Sequence, residues 1–132
     1  MSEAGQVALV TGASRGIGRA IALALARGGF QVTGTSTTEA GAAGIREALS
    51  AFPGCSGLAL DVNDAAASEA AIETIVKVKG GLHVLVNNAG ITRDGLAMRM
   101  KDADWDAVLD TNLKSVFRLC RAAMRPDRKS VV

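Results

Sequence analysis

The sequence contains no tyrosine, a single histidine and only two cysteines among its 132 residues. Without a tyrosine, no reaction within this chain can use a phenolic hydroxyl as its proton donor. Cys55 and Cys120 lie far apart, and together with His83 they lack the spacing of a zinc or iron–sulfur site. We therefore expect two reduced thiols, as in a cytoplasmic protein, and no metal site.

Long apolar runs, a leader sequence and a strong net charge are also missing. The longest apolar run, Ala20 to Ala26, is too short to cross a bilayer. The N-terminal residues MSEAGQ lack the basic and apolar regions of a signal peptide. A formal net charge of +2 is too small to indicate binding to nucleic acid or to an anionic membrane. We expect a cytoplasmic protein that has neither of these partners.

Short apolar segments alternate with amphipathic ones along the chain. Val7–Val10 is wholly apolar, as expected for a parallel strand that is buried on both faces. The alternation predicts an α/β fold, namely a Rossmann-type doubly wound parallel sheet that is truncated after its fourth strand and the following helix. The predicted strands are 7–10, 31–35, 57–62 and 82–86. Three predicted helices are 17–28, 39–51 and 102–124. A fourth, between the third and fourth strands, is capped by Asn63 or Asp64 and ends at Gly80.

The segment VTGASRGIG follows the first strand and opens the first helix. Gly12, Gly16 and Gly18 allow a sharp turn, a close approach of the backbone to a pyrophosphate, and close packing of the helix on the sheet. The helix N-terminus adds free N–H groups and the positive end of the helix dipole. A glycine-rich turn without a ligand is the alternative, but the position between a strand and a helix favours dinucleotide binding.

The second strand indicates which dinucleotide is bound. Selectivity for NAD usually needs an acidic residue about 20 residues after the glycines, and the segment Gly34–Thr38 has none before Glu39. Arg15 can instead face a 2′-phosphate with its guanidinium group, and Thr37 can add a hydroxyl. These residues favour NADP(H), although an arginine at the surface without a partner would give the same pattern.

Three other polar positions have both a structural and a functional interpretation. Asp61 ends an apolar strand, where it could accept a hydrogen bond from an adenine amino group or cap a turn. The segment Asn87–Gly90 could line a ribose pocket, tie neighbouring loops together or form a simple turn. Asn112 falls on the apolar stripe of the last predicted helix, where a structural hydrogen bond is the simpler explanation for a buried amide.

The motifs TGASRGIG, LDV, NNAG, ITRD and the asparagine of TNLKSVF occur in the order and spacing of the short-chain dehydrogenases/reductases. NNAGITRD and MRMKDADWDAVLDTNLKSVFRLCRAAM most resemble the bacterial members that reduce 3-oxoacyl-[acyl-carrier-protein] in fatty-acid synthesis. The resemblance extends over residues 5–126.

The resemblance implies a role for each candidate residue. The pyrophosphate and 2′-phosphate of NADP(H) would be held by Gly12, Ala13, Ser14, Arg15, Gly16, Ile17 and Gly18, with help from Thr37. Asp61 and Val62 would frame the adenine. Asn88 would line the cofactor ribose, with Ala89 and Gly90 beside it in the cofactor site. Asn112 would order a water molecule in the proton relay, which reverses the preference for a structural role.

The resemblance also implies what lies beyond the last predicted helix. In that family a tyrosine donates the proton, a lysine assists it, and a serine orients the carbonyl. Ser130 is not assigned the serine's role, because only Asp127–Lys129 precedes it in place of a buried strand. We therefore expect a catalytically incomplete N-terminal half of a reductase that acts on an acyl-carrier-protein thioester and is a homotetramer at full length. An acetoacetyl-CoA reductase fragment and a non-catalytic NADP-binding half-domain are the alternatives.

We expect the family resemblance to end at Pro126, before the last six residues, 127–132. Their sequence DRKSVV is the translation of GATCGGAAGAGCGTCGTG, the start of a widely used short-read sequencing adapter, in which the next codon is the stop TAG. We expect residues 1–126 to be the N-terminal part of one NADP-binding domain and residues 127–132 to be translated adapter. A frameshift and an internal deletion are the alternatives. Other codons in the source DNA, or the same end amplified from the organism, would contradict this expectation.

Overall fold

The computed structural model describes residues 5–89, 103, 115–123 and 128–131. In this part of the chain, no helix is both long and apolar enough to span a bilayer. Strands β1 to β5 span Val7–Val10, Gln31–Ser36, Ser56–Ala59, Leu82–Val86 and Arg128–Val131. Helices α1 to α4 span Gly16–Arg27, Glu39–Ala48, Ala65–Lys79 and Ser115–Ala123.

The strands form one parallel sheet in the order β3-β2-β1-β4-β5. The chain moves from β1 outward to β3 and then returns to β4 on the other side of β1. The predicted α/β fold with a doubly wound parallel sheet is confirmed. The strand order reverses between β1 and β4, and this is the point at which such sheets bind their ligands.

A short fifth strand is the main difference from the prediction, which ended the sheet at the fourth strand and the following helix. Arg128–Val131 pairs in parallel with β4, so that Leu82 lies opposite Arg128 and Leu85 opposite Val131. The strand has four residues, the same length as β1 and β3. The sequence criterion was a longer buried strand, and it therefore missed β5.

Strand β1 is buried on both faces, as predicted. Val7 and Leu9 belong to one apolar cluster with residues of α3, β4 and α4, whereas Ala8 and Val10 belong to a second cluster with residues of α1, β2 and α2. All four side chains are fully buried. Successive side chains of a strand point to opposite faces, so a strand between two helical layers must be apolar throughout.

Side chains fix the starts of two helices. Thr38 Oγ1 accepts a hydrogen bond from the N–H of Gly41 at 3.0 Å and begins α2. Asp64 Oδ1 accepts the N–H of Ala67 at 3.0 Å, so that Asp64, one of the two predicted caps, begins α3. Helix α3 ends at Gly80 with a φ of 87°, a left-handed conformation that glycine adopts without strain.

Strand β3 ends at Ala59, three residues before the predicted end. A turn replaces the strand there, because Asp61 Oδ1 accepts the N–H of Asn63 at 2.9 Å. Leu60 and Val62 are nevertheless buried, so the apolar pattern continues past the last paired residue. Helix α2 likewise ends at Ala48 rather than at residue 51.

A side-chain hydrogen bond joins β1 to β4 near the start of both strands. Nδ1 of His83 accepts the N–H of Val7 at 2.9 Å. Val7 has no exposed surface, so its amide needs a partner within the protein. The histidine ring supplies this partner.

Candidate functional site

The turn after β1 touches the segment after β4, with no space between the two backbones. A Cβ atom at Gly12 would lie 2.9 Å from Cα of Ala89. A Cβ atom at Gly18 would lie 2.0 Å from the carbonyl oxygen of Gly12 and 2.4 Å from Nδ2 of Asn88. Gly12 and Gly16 also have left-handed φ values of 65° and 62°. Each of the three glycines is therefore required by a backbone angle, by lack of space, or by both.

The hydroxyl of Thr11 joins the same two segments. Thr11 Oγ1 accepts the N–H of Asn88 at 3.1 Å and the N–H of Ala89 at 3.0 Å. It donates to the carbonyl oxygen of Val86 at 3.4 Å. Thr11 is 1% exposed. Thr11 was not among the site residues predicted from the sequence. It could have been found from its position, because it places a hydroxyl between a buried strand and Gly12.

Asn88 also binds the glycine-rich turn. Its Nδ2 atom donates to the carbonyl oxygen of Gly12 at 3.0 Å. For the segment Asn87–Gly90, the structure therefore shows one of the three interpretations, a hydrogen bond that joins neighbouring loops. The predicted contact of Asn88 with a cofactor ribose stays a prediction, as does the place of the half-buried Ala89 in the same pocket.

Helix α1 begins without a side-chain cap. Arg15 occupies the N-cap position and makes no capping hydrogen bond, whereas Thr38 and Asp64 cap α2 and α3. The first-turn N–H groups of a helix have no partner within the helix. A Cβ atom at Gly16 would meet nothing within 4 Å, and Ile17 is 74% exposed. The N-terminus of α1 therefore opens onto free space, an arrangement that suits an anion.

The glycine-rich turn is also joined to the end of β2. The N–H of Ala13 donates to the carbonyl oxygen of Thr35 at 2.8 Å. A Cβ atom at Gly34 would lie 2.8 Å from Cβ of Ala13, so this close approach also needs a glycine. Arg15 and Thr37 each lie two residues beyond the hydrogen bond, and both are exposed. The structure therefore brings these two predicted residues to the same edge of the sheet.

The remaining predicted residues differ in how they are placed. Asp61 is exposed and forms the turn after β3, and Val62 is buried. Their contact with an adenine stays a prediction. Ser14 is half-buried within the glycine-rich turn. Gly90 and Asn112 lie outside the described residues.

We expect the Thr11 hydroxyl to stabilise the fold through its bonds to the backbone. Thr11→Val keeps the shape but leaves the N–H groups of the half-buried Asn88 and Ala89 without this acceptor, which costs at most about 1–3 kcal/mol of unfolding free energy per group. Thr11→Ser keeps the hydroxyl and loses about 0.8 kcal/mol for one buried methyl group. Urea denaturation of both variants measures the difference. Equal destabilisation by the two substitutions would contradict a role for the hydroxyl.

Comparison with known proteins gives consistent matches. The family model described as short chain dehydrogenase matches residues 6–130. The 3-oxoacyl-[acyl-carrier-protein] reductase FabG of Escherichia coli is 54% identical over 125 residues, which cover 95% of this chain and 50% of that protein. The Pseudomonas aeruginosa reductase of the same name is 52% identical over 127 residues, which cover 95% of this chain and 51% of that protein. The chain therefore spans about half the length of the curated relatives it matches.

A solved structure gives the same result for the fold. A crystal structure of a Sinorhizobium meliloti protein, assigned to the short-chain alcohol dehydrogenases, matches with a TM-score of 0.84 and 40% identity. The match covers 91% of this chain and 48% of that one. Because the family model matches most of the chain and a solved member has the same fold, this chain belongs to the short chain dehydrogenase family.

Proposed function

We propose that the chain is the cofactor-binding part of an oxidoreductase that uses NADPH to reduce 3-oxoacyl-[acyl-carrier-protein] to the 3-hydroxyacyl form in fatty-acid biosynthesis. The observation that carries this proposal is the 54% identity to the E. coli reductase of that name over 95% of the chain. We further propose that the protein is cytoplasmic, that its partner is an acyl-carrier-protein thioester, and that its full-length form is a homotetramer.

The residues present fit the phosphates of a dinucleotide. The N-terminus of α1 has no side-chain cap, and the space beside Gly16 is open. The first-turn N–H groups are therefore available to an anion, and the helix dipole favours negative charge there. When bound, NADPH supplies the hydride. The glycine-rich turn would hold the phosphates of the dinucleotide.

The charges near β2 support NADP(H) over NAD(H). Arg15 and Thr37 are exposed at the same edge of the sheet, and both can donate hydrogen bonds to a 2′-phosphate. The nearest acidic residue, Glu39, forms an ion pair with Arg46. Arg46 also donates to the carbonyl oxygen of Gly57 at 3.0 Å, which holds it on that side of α2. The ion pair thus directs the carboxylate of Glu39 along α2.

The other roles rest on the family resemblance. We propose that Asp61 and Val62 frame the adenine, that Asn88 lines the ribose with Ala89 and Gly90 beside it, and that Asn112 orders a water molecule in the proton relay. The hydrogen bond from Asn88 to Gly12 supports the role proposed for Asn88, because it holds the side-chain amide next to the glycine-rich turn.

We expect Arg15 to determine the preference for the 2′-phosphate. The unmodified chain should bind NADPH more tightly than NADH. Arg15→Ala should weaken NADPH binding by roughly tenfold or more, the effect of losing one hydrogen bond to a charged group, and should leave NADH binding unchanged. Arg27→Ala, in the last turn of α1, is the control for net charge. Fluorescence titration measures all six affinities, and equal or tighter binding of NADH by the unmodified chain would refute the assignment.

We expect reductase activity only when the second half of the family's domain is supplied. The 132-residue chain has no tyrosine, and the loss of a positioned general acid typically lowers the rate by about 10²–10⁴-fold. It should therefore consume no NADPH with acetoacetyl-acyl-carrier-protein. A chimera of residues 1–126 with the second half of the E. coli reductase should be active, and Asn112→Ala should lower its kcat. A folded chimera that binds NADPH without reducing the thioester would refute the proposal, and turnover by the chain alone would refute the need for tyrosine.

A further inference from the structure

The junction between β2 and α2 depends on a contact between Ser36 and Gly41. Ser36 ends β2 and is 9% exposed, and the following residues, 37–40, are exposed. Ser36 Oγ accepts the N–H of Thr38 at 3.4 Å, and Thr38 Oγ1 accepts the N–H of Gly41 at 3.0 Å. Thr37 is therefore the exposed residue between a buried strand end and a capped helix.

Gly41 has no room for a side chain. A Cβ atom there would lie 2.0 Å from Oγ and 2.7 Å from Cβ of Ser36, and 3.1 Å from Oγ1 of Thr38. A Cβ atom at Gly44, in the same helix, would meet nothing within 4 Å. Glycine lowers helix stability at either position. The glycine at position 41 leaves space for the Ser36 side chain, and Gly44 has no such role.

We infer that Gly41 is a positioning residue for cofactor selectivity: its missing Cβ lets the first turn of α2 lie against Ser36 and so places Thr37 beside Arg15 for a 2′-phosphate. This inference rests on the proposed function. A methyl group at Gly41 must move either the end of β2 or the first turn of α2, and Thr37 lies between them. The hydrogen bond from Ala13 to Thr35 joins the glycine-rich turn to β2 one residue before Ser36, so Arg15 keeps its place relative to β2 when the first turn of α2 moves.

The displacement affects the two cofactors differently. Hydrogen bonds to a phosphate weaken steeply with distance and angle, so NADPH loses contacts when Thr37 moves. NADH has a hydroxyl in place of the 2′-phosphate and therefore offers no charged acceptor there. The change is therefore expected in the ratio of the two affinities, which a general loss of stability does not alter.

The experiment compares glycine variants of the 132-residue chain by fluorescence titration with NADPH and NADH. Gly41→Ala should weaken NADPH binding by roughly tenfold or more and leave NADH binding unchanged. Gly44→Ala is the matched control and should alter neither affinity. Ser36→Gly combined with Gly41→Ala removes the two contacts with Ser36, leaves only the 3.1 Å approach to Oγ1 of Thr38, and should restore the preference for NADPH. Ser36→Ala combined with Gly41→Ala removes only the oxygen contact and should give an intermediate ratio.

The outcomes separate this inference from the proposal on which it rests. An unmodified chain without a preference for NADPH overturns the proposed cofactor, and the inference with it. If that preference is present, a Gly41→Ala variant with the unmodified ratio, or with equal losses for both cofactors, overturns the inference alone. Should Gly41→Ala unfold, as followed by circular dichroism, the two double variants decide, and equal ratios in them overturn the inference.

Discussion

The contact of two backbones at the carboxyl ends of β1 and β4 is the constraint on which the rest of the site depends. Gly12 and Ala89 approach so closely that no Cβ fits between them, and the same holds for Gly18 against the carbonyl of Gly12. Only at this separation can a single hydroxyl, that of Thr11, accept the N–H groups of both Asn88 and Ala89. The contact lies where the strand order reverses, so it also fixes where α1 begins and what its N-terminus faces.

Much of the fold could be predicted because it depends on local patterns. The wholly apolar β1 follows from burial on two faces, and the end of α3 at Gly80 follows from the left-handed conformation of that residue. The hydrophobic pattern placed the end of β3 three residues too late, because Asp61 takes the N–H of Asn63 into a turn, which was one of the two interpretations of Asp61 from the sequence. A hydrophobic pattern alone does not detect such a turn.

The links that assemble the site were the least accessible to prediction. The amide of Asn88 binds a carbonyl 76 positions away in sequence, and the partners of Thr11 are at similar separations. Nothing in the spacing of the residues specifies such a partner. The role of a glycine is equally hard to predict from the sequence. Gly12 is required by its backbone angle and by lack of space, and Gly34 by the approach of Ala13. A side chain at Gly44, in contrast, would meet no neighbour. The sequence alone does not distinguish these three glycines.

The hydrogen bond between His83 and Val7 has a spectroscopic consequence. Because Nδ1 accepts the amide of Val7, the neutral ring carries its proton on Nε2, and a doubly protonated ring has no lone pair left at Nδ1 to accept it. The chain has one histidine, so its imidazole nitrogens give a single set of resonances that needs no assignment by mutation. The hydrogen bond requires the Nε2–H tautomer, and it lies at the opposite end of β1 from the glycine-rich turn.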